Sequence, residues 1–252
     1  MKIKKIFFTC RLILIAANLV TSIFLTSSPL HAATFFGENP NPGPHEELFR
    51  NGKYFIYLPP GYNSNTRYPL VILTYMNEEG DVDMDPEELM RLWMKPAEQR
   101  GYIVAMPLVG GIPEMIDPWY IQVLARLKEQ YSVDRRRIFL TGLGGGAHYA
   151  LHFALTHPEE FAGVSPVAGT FEGLWAGLMQ FKRGNRPAFY FLAGNKDVRV
   201  PLEKVQKTAD EMKRDGYSVR FETMQEIGHE YPEEFIMKVA DWFDSLPSKI
   251  TD

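Results

Sequence analysis

The sequence predicts an α/β protein in which helices cover both faces of a mostly parallel sheet. Short apolar runs rich in β-branched and aromatic residues recur along the chain, longer amphipathic stretches separate them, and Gly or Pro bounds most of them. Strands that are apolar on both sides need a helix layer on each face, and alternation of strand and helix favours parallel pairing. Because no repeat, low-complexity tract or Pro/Ser-rich linker divides the chain, we expect one domain at 33–252.

The predicted elements follow one another after a lead rich in Pro, Gly and Asn. The strand candidates lie at 54–58, 70–74, 103–106, 138–141, 163–167, 189–193 and 219–224. The helix candidates lie at 85–99, 117–131, 145–156, 203–215 and 233–245. We expect the first two helices to begin with an aspartate cap and a proline at the first helical position, at Asp85-Pro86 and Asp117-Pro118. Ligands of such sheets bind at the carboxyl ends of the strands, so function is expected in the turns after residues 74, 141, 193 and 224.

The first 32 residues have the order typical of a secretory signal peptide. Four basic residues precede an apolar stretch at 12–25, and small residues then lead to a cleavage point near Ala32 or Ala33. The alternative is an uncleaved membrane anchor, but the 14 residues of that stretch fall short of the roughly 20 that span a bilayer. We therefore expect a secreted or periplasmic protein with no membrane span after signal cleavage.

Charge and cysteine content narrow the classes of partner. Residues 1–32 carry four of the 27 basic residues and none of the 31 acidic ones, which leaves the remainder of the chain with a formal charge of −8. A negative surface argues against nucleic acid or an anionic membrane as the main partner. The one cysteine, Cys10, lies in the signal segment, so we expect no disulfide in the exported protein.

A glycine-rich turn follows the strand at 138–141. The turn has the sequence GLGGG at 142–146, and two other characteristic stretches are YLPPGY at 57–62 and HPEEFA at 157–162. On these stretches the chain resembles the α/β-hydrolase superfamily, in particular small secreted esterases, polyhydroxybutyrate depolymerase-like proteins and predicted peptidases. The resemblance covers nearly all of 33–252. It implies the α/β-hydrolase fold, with a sheet of about seven to eight strands, and carboxylesterase-like chemistry.

The nucleophile of that family is missing at the matching position. The family motif is G-x-S-x-G, a strained strand-to-helix turn that holds the serine hydroxyl above the sheet. Gly142 and Gly146 match the flanking glycines, and Gly144 stands where the serine is expected. Glycine has no side chain to attack a carbonyl, and it adopts the backbone angles of the turn without strain. We predict that the turn is kept and the nucleophile is lost.

The other catalytic positions follow from the same resemblance. Asp197 stands where the family keeps the acid that orients the histidine, and His229 matches the general base. The oxyanion hole is expected at the backbone N–H groups of Gly145 and Met76. The turn at 74–77 lacks the His-Gly pair of the family, so we expect this second half of the hole to be altered and crowded by bulky side chains.

Three hypotheses for function remain open at this point. The first is a pseudo-hydrolase that binds a small-molecule, ester or peptide ligand in the former active-site cleft without a cofactor. The second is an active esterase or peptidase-like hydrolase that uses Ser165, Thr74 or a water activated by His229. The third is a structural or interaction module of the cell envelope.

Other sequence patterns in the chain suggest different ligands. Gly142, Gly144 and Ala147 fit a G-x-G-x-x-[GA] dinucleotide motif, but a glycine in place of a hydrolase serine produces this pattern automatically. The acidic residues at 78–88 suggest calcium, although Pro86 replaces the glycine that an EF-hand loop requires. A solvated acidic loop is the simpler interpretation.

Two further pairs of residues have both a functional and a structural interpretation. His148 and His152 stand four residues apart on one helix, a spacing that suits zinc, but helix packing is the favoured explanation. Trp119 and Tyr120 either cover the pocket or belong to the core.

Overall fold

A computed structural model of the chain describes residues 41–50, 52–76, 84–108, 113–171 and 186–248, with 113–115 described by their backbone alone. All of these residues belong to one unit, Asn39–Asp252. The signal peptide predicted at 1–32 and the domain start at 33 lie outside the described residues, as does most of the acidic loop at 78–88.

The described residues form eight strands and five helices. The strands are β1 Gly43–Phe49, β2 Gly52–Leu58, β3 Tyr68–Leu73, β4 Ile103–Leu108, β5 Val133–Leu143, β6 Gly163–Val167, β7 Ala188–Gly194 and β8 Val219–Met224. The helices are α1 Pro86–Arg100, α2 Pro113–Gln130, α3 Gly145–Thr156, α4 Leu202–Arg214 and α5 Glu233–Ser245.

The strands form a single sheet in the order β1-β2-β4-β3-β5-β6-β7-β8. Strands β3 to β8 run parallel to one another, whereas β2 is antiparallel to both β1 and β4. The mostly parallel α/β fold predicted from the sequence is confirmed, and the seven predicted strands overlap β2 to β8. Parallel pairing places the carboxyl ends of β5, β6, β7 and β8 along one edge, where the turns of interest begin.

Two hydrophobic clusters pack on opposite faces of the sheet. Helices α2, α3 and α4 cover one face with buried side chains that include Leu127, Phe153 and Met212. Helices α1 and α5 cover the other face, where Trp93 and Phe243 lie 6.1 Å apart between ring centroids. Burial of this much aromatic and aliphatic surface supplies the main favourable free energy of folding.

A polar network ties α1 to α5 at the rim of the second cluster. Arg100 contacts Asp241 at 2.6 Å and Asp244 at 3.1 Å. Arg137 of β5 reaches Asp244 at 2.8 Å, and the Tyr102 hydroxyl donates to the same carboxylate at 2.7 Å. Burial, reinforced by the Asp244 hydrogen bond, raises the pKa of Tyr102 above its ordinary value. The network therefore joins segments that are far apart in the sequence.

Glu222 links β8 to its neighbours β7 and α5. Its carboxylate accepts hydrogen bonds from Lys238 Nζ at 2.9 Å, from Arg220 Nη2 at 3.1 Å and from the Tyr190 hydroxyl. Burial alone would raise the pKa of Glu222, but the bonds from Lys238 and Tyr190 outweigh burial and lower the pKa below its ordinary 4.5. The ionised carboxylate is thus favoured in the folded state.

We expect Glu222→Gln to lower the free energy of unfolding by about 1 kcal/mol at neutral pH. A depressed folded pKa contributes stability that is present above the unfolded value of 4.5 and is lost as the pH falls through the folded value. The difference between the two proteins should therefore shrink below pH 4.5, measured by urea unfolding at several pH values. Glu211→Gln, which removes an exposed i,i+3 pair with Arg214, serves as the control for the loss of a surface carboxylate.

Two sequence predictions need correction. Strand β1 was not predicted because it lies at the sheet edge, pairs only with β2 and alternates half-buried with exposed residues such as Leu48. The predicted start of α2 at Asp117 is wrong, since the helix begins at Pro113. Asp117 is not a cap: its carboxylate accepts the Tyr149 hydroxyl at 2.8 Å and contacts His152.

The matching prediction for α1 is confirmed. Asp85 Oδ1 accepts hydrogen bonds from the backbone N–H groups of Glu87 at 2.9 Å and Glu88 at 3.2 Å, with Pro86 at the first helical position. The same dipeptide, Asp-Pro, therefore has two different roles in the two helices.

Candidate active site

Gly144 forms the turn between β5 and α3. Its φ of 53° and ψ of −115° lie in a region that residues with a side chain occupy only under strain. Its backbone N–H donates to Val167 O at 3.0 Å, and its carbonyl accepts from His148 N at 2.9 Å. Gly144 is therefore the central residue of a sharp strand-to-helix turn at the carboxyl edge of the sheet.

The glycines on either side allow this turn to pack against the end of β3. A Cβ atom on Gly142 would lie 2.6 Å from Thr74 O, and one on Gly146 would lie 2.2 Å from the same oxygen. Real Cβ atoms do not approach a backbone carbonyl so closely, so both positions require glycine. The Thr74 hydroxyl donates to Gly146 O at 2.8 Å and completes the contact.

The turn after β7 holds Asp197 in a fixed orientation. Asp197 Oδ1 accepts the backbone N–H groups of Arg199 and Val200, each at 2.9 Å. The side chain of Asp197 is fully buried. Because two amides occupy Oδ1, the other oxygen, Oδ2, is directed to a different partner.

That partner is His229 in the turn after β8. His229 Nδ1 lies 2.8 Å from Asp197 Oδ2, and the histidine side chain is 7% exposed. A carboxylate can only accept a hydrogen bond, so Nδ1 carries the proton and donates it. In the neutral ring Nε2 is then the basic nitrogen, which is the arrangement that a general base needs. The structure thus brings two of the predicted site residues into direct contact.

Gly194 allows the two turns to approach each other. A Cβ atom on this glycine would lie 2.3 Å from Ile227 O and 2.4 Å from Gly228 O. The close approach of the two backbones places Asp197 and His229 within hydrogen-bond distance.

Comparison with known proteins assigns the fold to a family. The family model described as Phospholipase/Carboxylesterase matches residues 114–246, which is just over half of the chain. The chain belongs to this family. The match covers β5 to β8, the strands that carry the Gly144, Asp197 and His229 turns, and the α/β-hydrolase resemblance inferred from the sequence is confirmed.

Two curated relatives match part of the chain. Poly(3-hydroxyalkanoate) depolymerase C of Paucimonas lemoignei is 40% identical over 48 residues, which are 19% of this chain and 12% of the depolymerase. A bifunctional acetylxylan esterase/xylanase of Neocallimastix patriciarum is 23% identical over 123 residues, 45% of this chain and 17% of that protein. The chain thus spans less than a fifth of the length of these relatives.

Solved esterase structures share the fold of this phospholipase/carboxylesterase family member. S-formylglutathione hydrolase of Staphylococcus aureus has a TM-score of 0.65 at 16% identity, over 82% of this chain and 99% of the other. A ferulic acid esterase of Anaeromyces mucronatus, solved in complex with ferulic acid, has a TM-score of 0.62 at 16% identity, over 83% and 93%. A thermostable esterase gives 0.64 at 18% identity, over 81% and 62%.

The two positions predicted for the oxyanion hole differ in their surroundings. Gly145 is half-buried at the first position of α3, immediately after the turn. Met76 is 7% exposed and belongs to the hydrophobic cluster under α2 and α3. The Met76 side chain therefore lies in the core, and the altered oxyanion hole stays a prediction.

The hydroxyl groups of both alternative nucleophiles, Ser165 and Thr74, form hydrogen bonds with backbone carbonyl groups. Ser165 is fully buried in β6, and its hydroxyl donates to Tyr190 O at 2.9 Å. Thr74 is 1% exposed, with its hydroxyl bonded to Gly146 O. Neither hydroxyl is placed to attack a ligand.

The histidine pair on α3 binds two different partners. His148 Nε2 lies 3.1 Å from the Thr170 hydroxyl, whereas His152 Nε2 lies 2.8 Å from Asp117 Oδ2. Among the described residues no group of three or more side chains could hold a metal ion. His152 thus contacts α2, and His148 contacts the segment that follows β6.

Of the other sequence candidates, Trp119 and Tyr120 belong to the core, with 9% and 1% exposure. Within the described part of the chain, no helix combines the length and the apolar character needed to cross a membrane.

Asn195, which precedes Asp197 by two positions, is not among the site residues predicted from the sequence. Its side chain bonds to the turn that leads to His229, at 2.7 Å from Glu226 N. The only local signal is the Gly-Asn pair at 194–195, which is typical of a turn and does not reveal a contact with residues 30 positions away.

Proposed function

We propose that this member of the phospholipase/carboxylesterase family is a pseudo-hydrolase, secreted or exported to the periplasm. In this proposal it binds a small-molecule, ester or peptide ligand in the former active-site cleft and does not hydrolyse it. The observation that carries the proposal is Gly144, a residue without a side chain at the centre of the strand-to-helix turn, on the same sheet edge as the Asp197–His229 pair.

The hydrolase chemistry of this fold needs a nucleophile within reach of the base. Asp197 and His229 form the acid–base half of such a triad, at 2.8 Å. Glycine at position 144 supplies no oxygen for His229 to deprotonate. Loss of the nucleophile in a serine hydrolase costs on the order of 10⁶ in kcat, which supports binding without turnover.

The presence of the Asp197–His229 pair favours a ligand at the carboxyl ends of the strands over a purely structural role. Asp197 and His229 lie beyond Gly194 and Met224, where the pairing of β7 with β8 ends, so the pairing of the strands does not use their side chains. The second candidate, an active hydrolase with another nucleophile, receives no support from Ser165 or Thr74, whose hydroxyls are buried and bonded to backbone carbonyls.

Fluorophosphonate labelling of the purified protein, followed by intact mass, tests the proposal. We expect the natural protein to remain unlabelled and Gly144→Ser to gain one adduct. Gly144→Ser combined with His229→Ala is the control and should lose the label, because the serine then lacks its base.

Two outcomes with the natural protein would contradict this function. Stoichiometric labelling of the natural protein would identify a real nucleophile by the modified residue. Ester hydrolysis by the unlabelled natural protein that disappears in His229→Ala would indicate a water molecule activated by His229.

A further inference from the structure

Two backbone hydrogen bonds join the segments that lead to Asp197 and His229. Asn195 N donates to Met224 O at 3.0 Å, and Lys196 N donates to Ile227 O at 2.9 Å. These bonds extend the parallel pairing of β7 and β8 beyond the ends of the strands. Residues 225 and 226 form a two-residue turn between the two bonded positions.

The Asn195 side chain forms hydrogen bonds with both residues of this turn. Its Oδ1 accepts the backbone N–H of Glu226 at 2.7 Å, and its Nδ2 donates to Gln225 Oε1 at 2.8 Å. The carboxamide therefore uses an acceptor and a donor at once, which fixes its orientation.

The backbone at Glu226 needs such support. Its φ is 58°, in the left-handed region that residues with a Cβ atom seldom occupy. The chain then reaches His229 in three residues, passing Ile227, whose carbonyl is bonded to Lys196. A change in the conformation at Glu226 therefore moves the backbone that carries the imidazole.

We propose that Asn195 is a positioning residue for His229: its carboxamide fixes the Gln225–Glu226 turn and thereby holds the imidazole in register with Asp197 and the Gly144 turn. The inference rests on the proposed function, because it assigns Asn195 to the same latent site. Asn195 touches neither the imidazole nor the position of a reacting atom, so it acts only through the turn.

Exposure separates this role from a contribution to the core. Asn195, Gln225 and Glu226 are all exposed, so truncation of Asn195 leaves no cavity. Water can hydrate the polar groups that lose their partner, but it does not hold Glu226 at a φ of 58°. Asn195→Ala should therefore leave the melting temperature nearly unchanged while it disturbs the geometry of the Asp197–His229 pair.

The first test uses the natural protein and does not depend on catalysis. The proton on His229 Nδ1, bonded to a buried carboxylate, should give a downfield NMR signal, assigned by its loss in His229→Ala. We expect Asn195→Ala to weaken or abolish this signal and Asn195→Asp, which keeps the acceptor for Glu226 N–H, to retain it. Lys196→Ala is the matched control, since it removes only an exposed pair with Glu226 at 3.6 Å.

The second test adds the same substitutions to Gly144→Ser. Asn195→Ala should slow fluorophosphonate labelling between about 10- and 100-fold, as expected for a displaced base, and Asn195→Asp should recover most of the rate. An unchanged signal together with an unchanged labelling rate in Asn195→Ala overturns the proposal. If Gly144→Ser is never labelled, the proposed function fails, and the NMR signal still decides the role of Asn195.

Discussion

Gly144→Ser should hydrolyse a simple activated ester such as p-nitrophenyl acetate on the order of 10³-fold faster than the natural protein. A serine at this position would stand at the centre of the strand-to-helix turn. Asp197 and His229 are already hydrogen-bonded to each other, at 2.8 Å. The expected gain is smaller than the roughly 10⁶ that a complete triad contributes, because the turn at 74–77 lacks the His-Gly pair of the oxyanion hole. Initial rates at neutral pH, corrected for spontaneous hydrolysis, provide the measurement.

Gly144→Ala is the matched control for this experiment. It introduces the same backbone strain, about 1–3 kcal/mol at a φ of 53°, without a hydroxyl group. Both variants should therefore unfold at lower urea concentration than the natural protein, and only the serine variant should gain activity. Equal rates for the serine and alanine variants would show that residue 144 is not the nucleophile position.

Gly146→Ala should lower the free energy of unfolding by about 3 kcal/mol or more. The new methyl group would lie 2.2 Å from Thr74 O, a backbone atom held in place by β3 and by the bond from its own side chain to Gly146 O. Alanine is preferred to glycine in a helix by about 1 kcal/mol, but this gain is smaller than the cost of moving two packed backbones. Urea unfolding followed by circular dichroism gives the difference.

Gly228→Ala makes the same chemical change in a place that has room for it. The nearest atoms to its added methyl group are 3.9 Å away, which is an ordinary contact distance. We expect a change of less than about 0.5 kcal/mol at this position. Similar losses for Gly146→Ala and Gly228→Ala would mean that the packing of α3 against Thr74 does not limit stability.

Much of the fold can be predicted from the sequence because the strands of a parallel sheet covered on both faces are continuous apolar runs. Tyr68–Leu73 and Ile103–Leu108 have nearly all their residues buried, and their local composition alone indicates strands. Gly43–Phe49 lacks this signal. In this edge strand every second residue is exposed, so half-buried and exposed residues alternate and no continuous apolar run forms. The start of α2 was predicted wrongly for a different reason: Asp117 has the sequence context of a cap, but its partner Tyr149 is 32 positions away.

The site was predictable where a short motif defines it and not where distant backbones meet. The contact between Asp197 and His229 follows from two turns at the ends of neighbouring strands. The burial of Met76 in the core and the link from Asn195 to Glu226 depend on packing across the molecule, which local sequence does not encode. The enzymatic role of Asp197 and His229 stays a prediction.

The ion pairs between α1 and α5 have a consequence for the order in which the molecule folds. Arg100 reaches Asp244 across 144 positions of sequence, and Tyr102 reaches the Ala240 carbonyl across 138. Contacts of such high sequence separation form late, since closing a long loop must come before the contact stabilises anything. The turn that carries His229 lies between β8 and α5, so this turn reaches its final geometry only after α5 has packed against the sheet. A nascent or C-terminally truncated chain can therefore build most of the sheet and still have no assembled site.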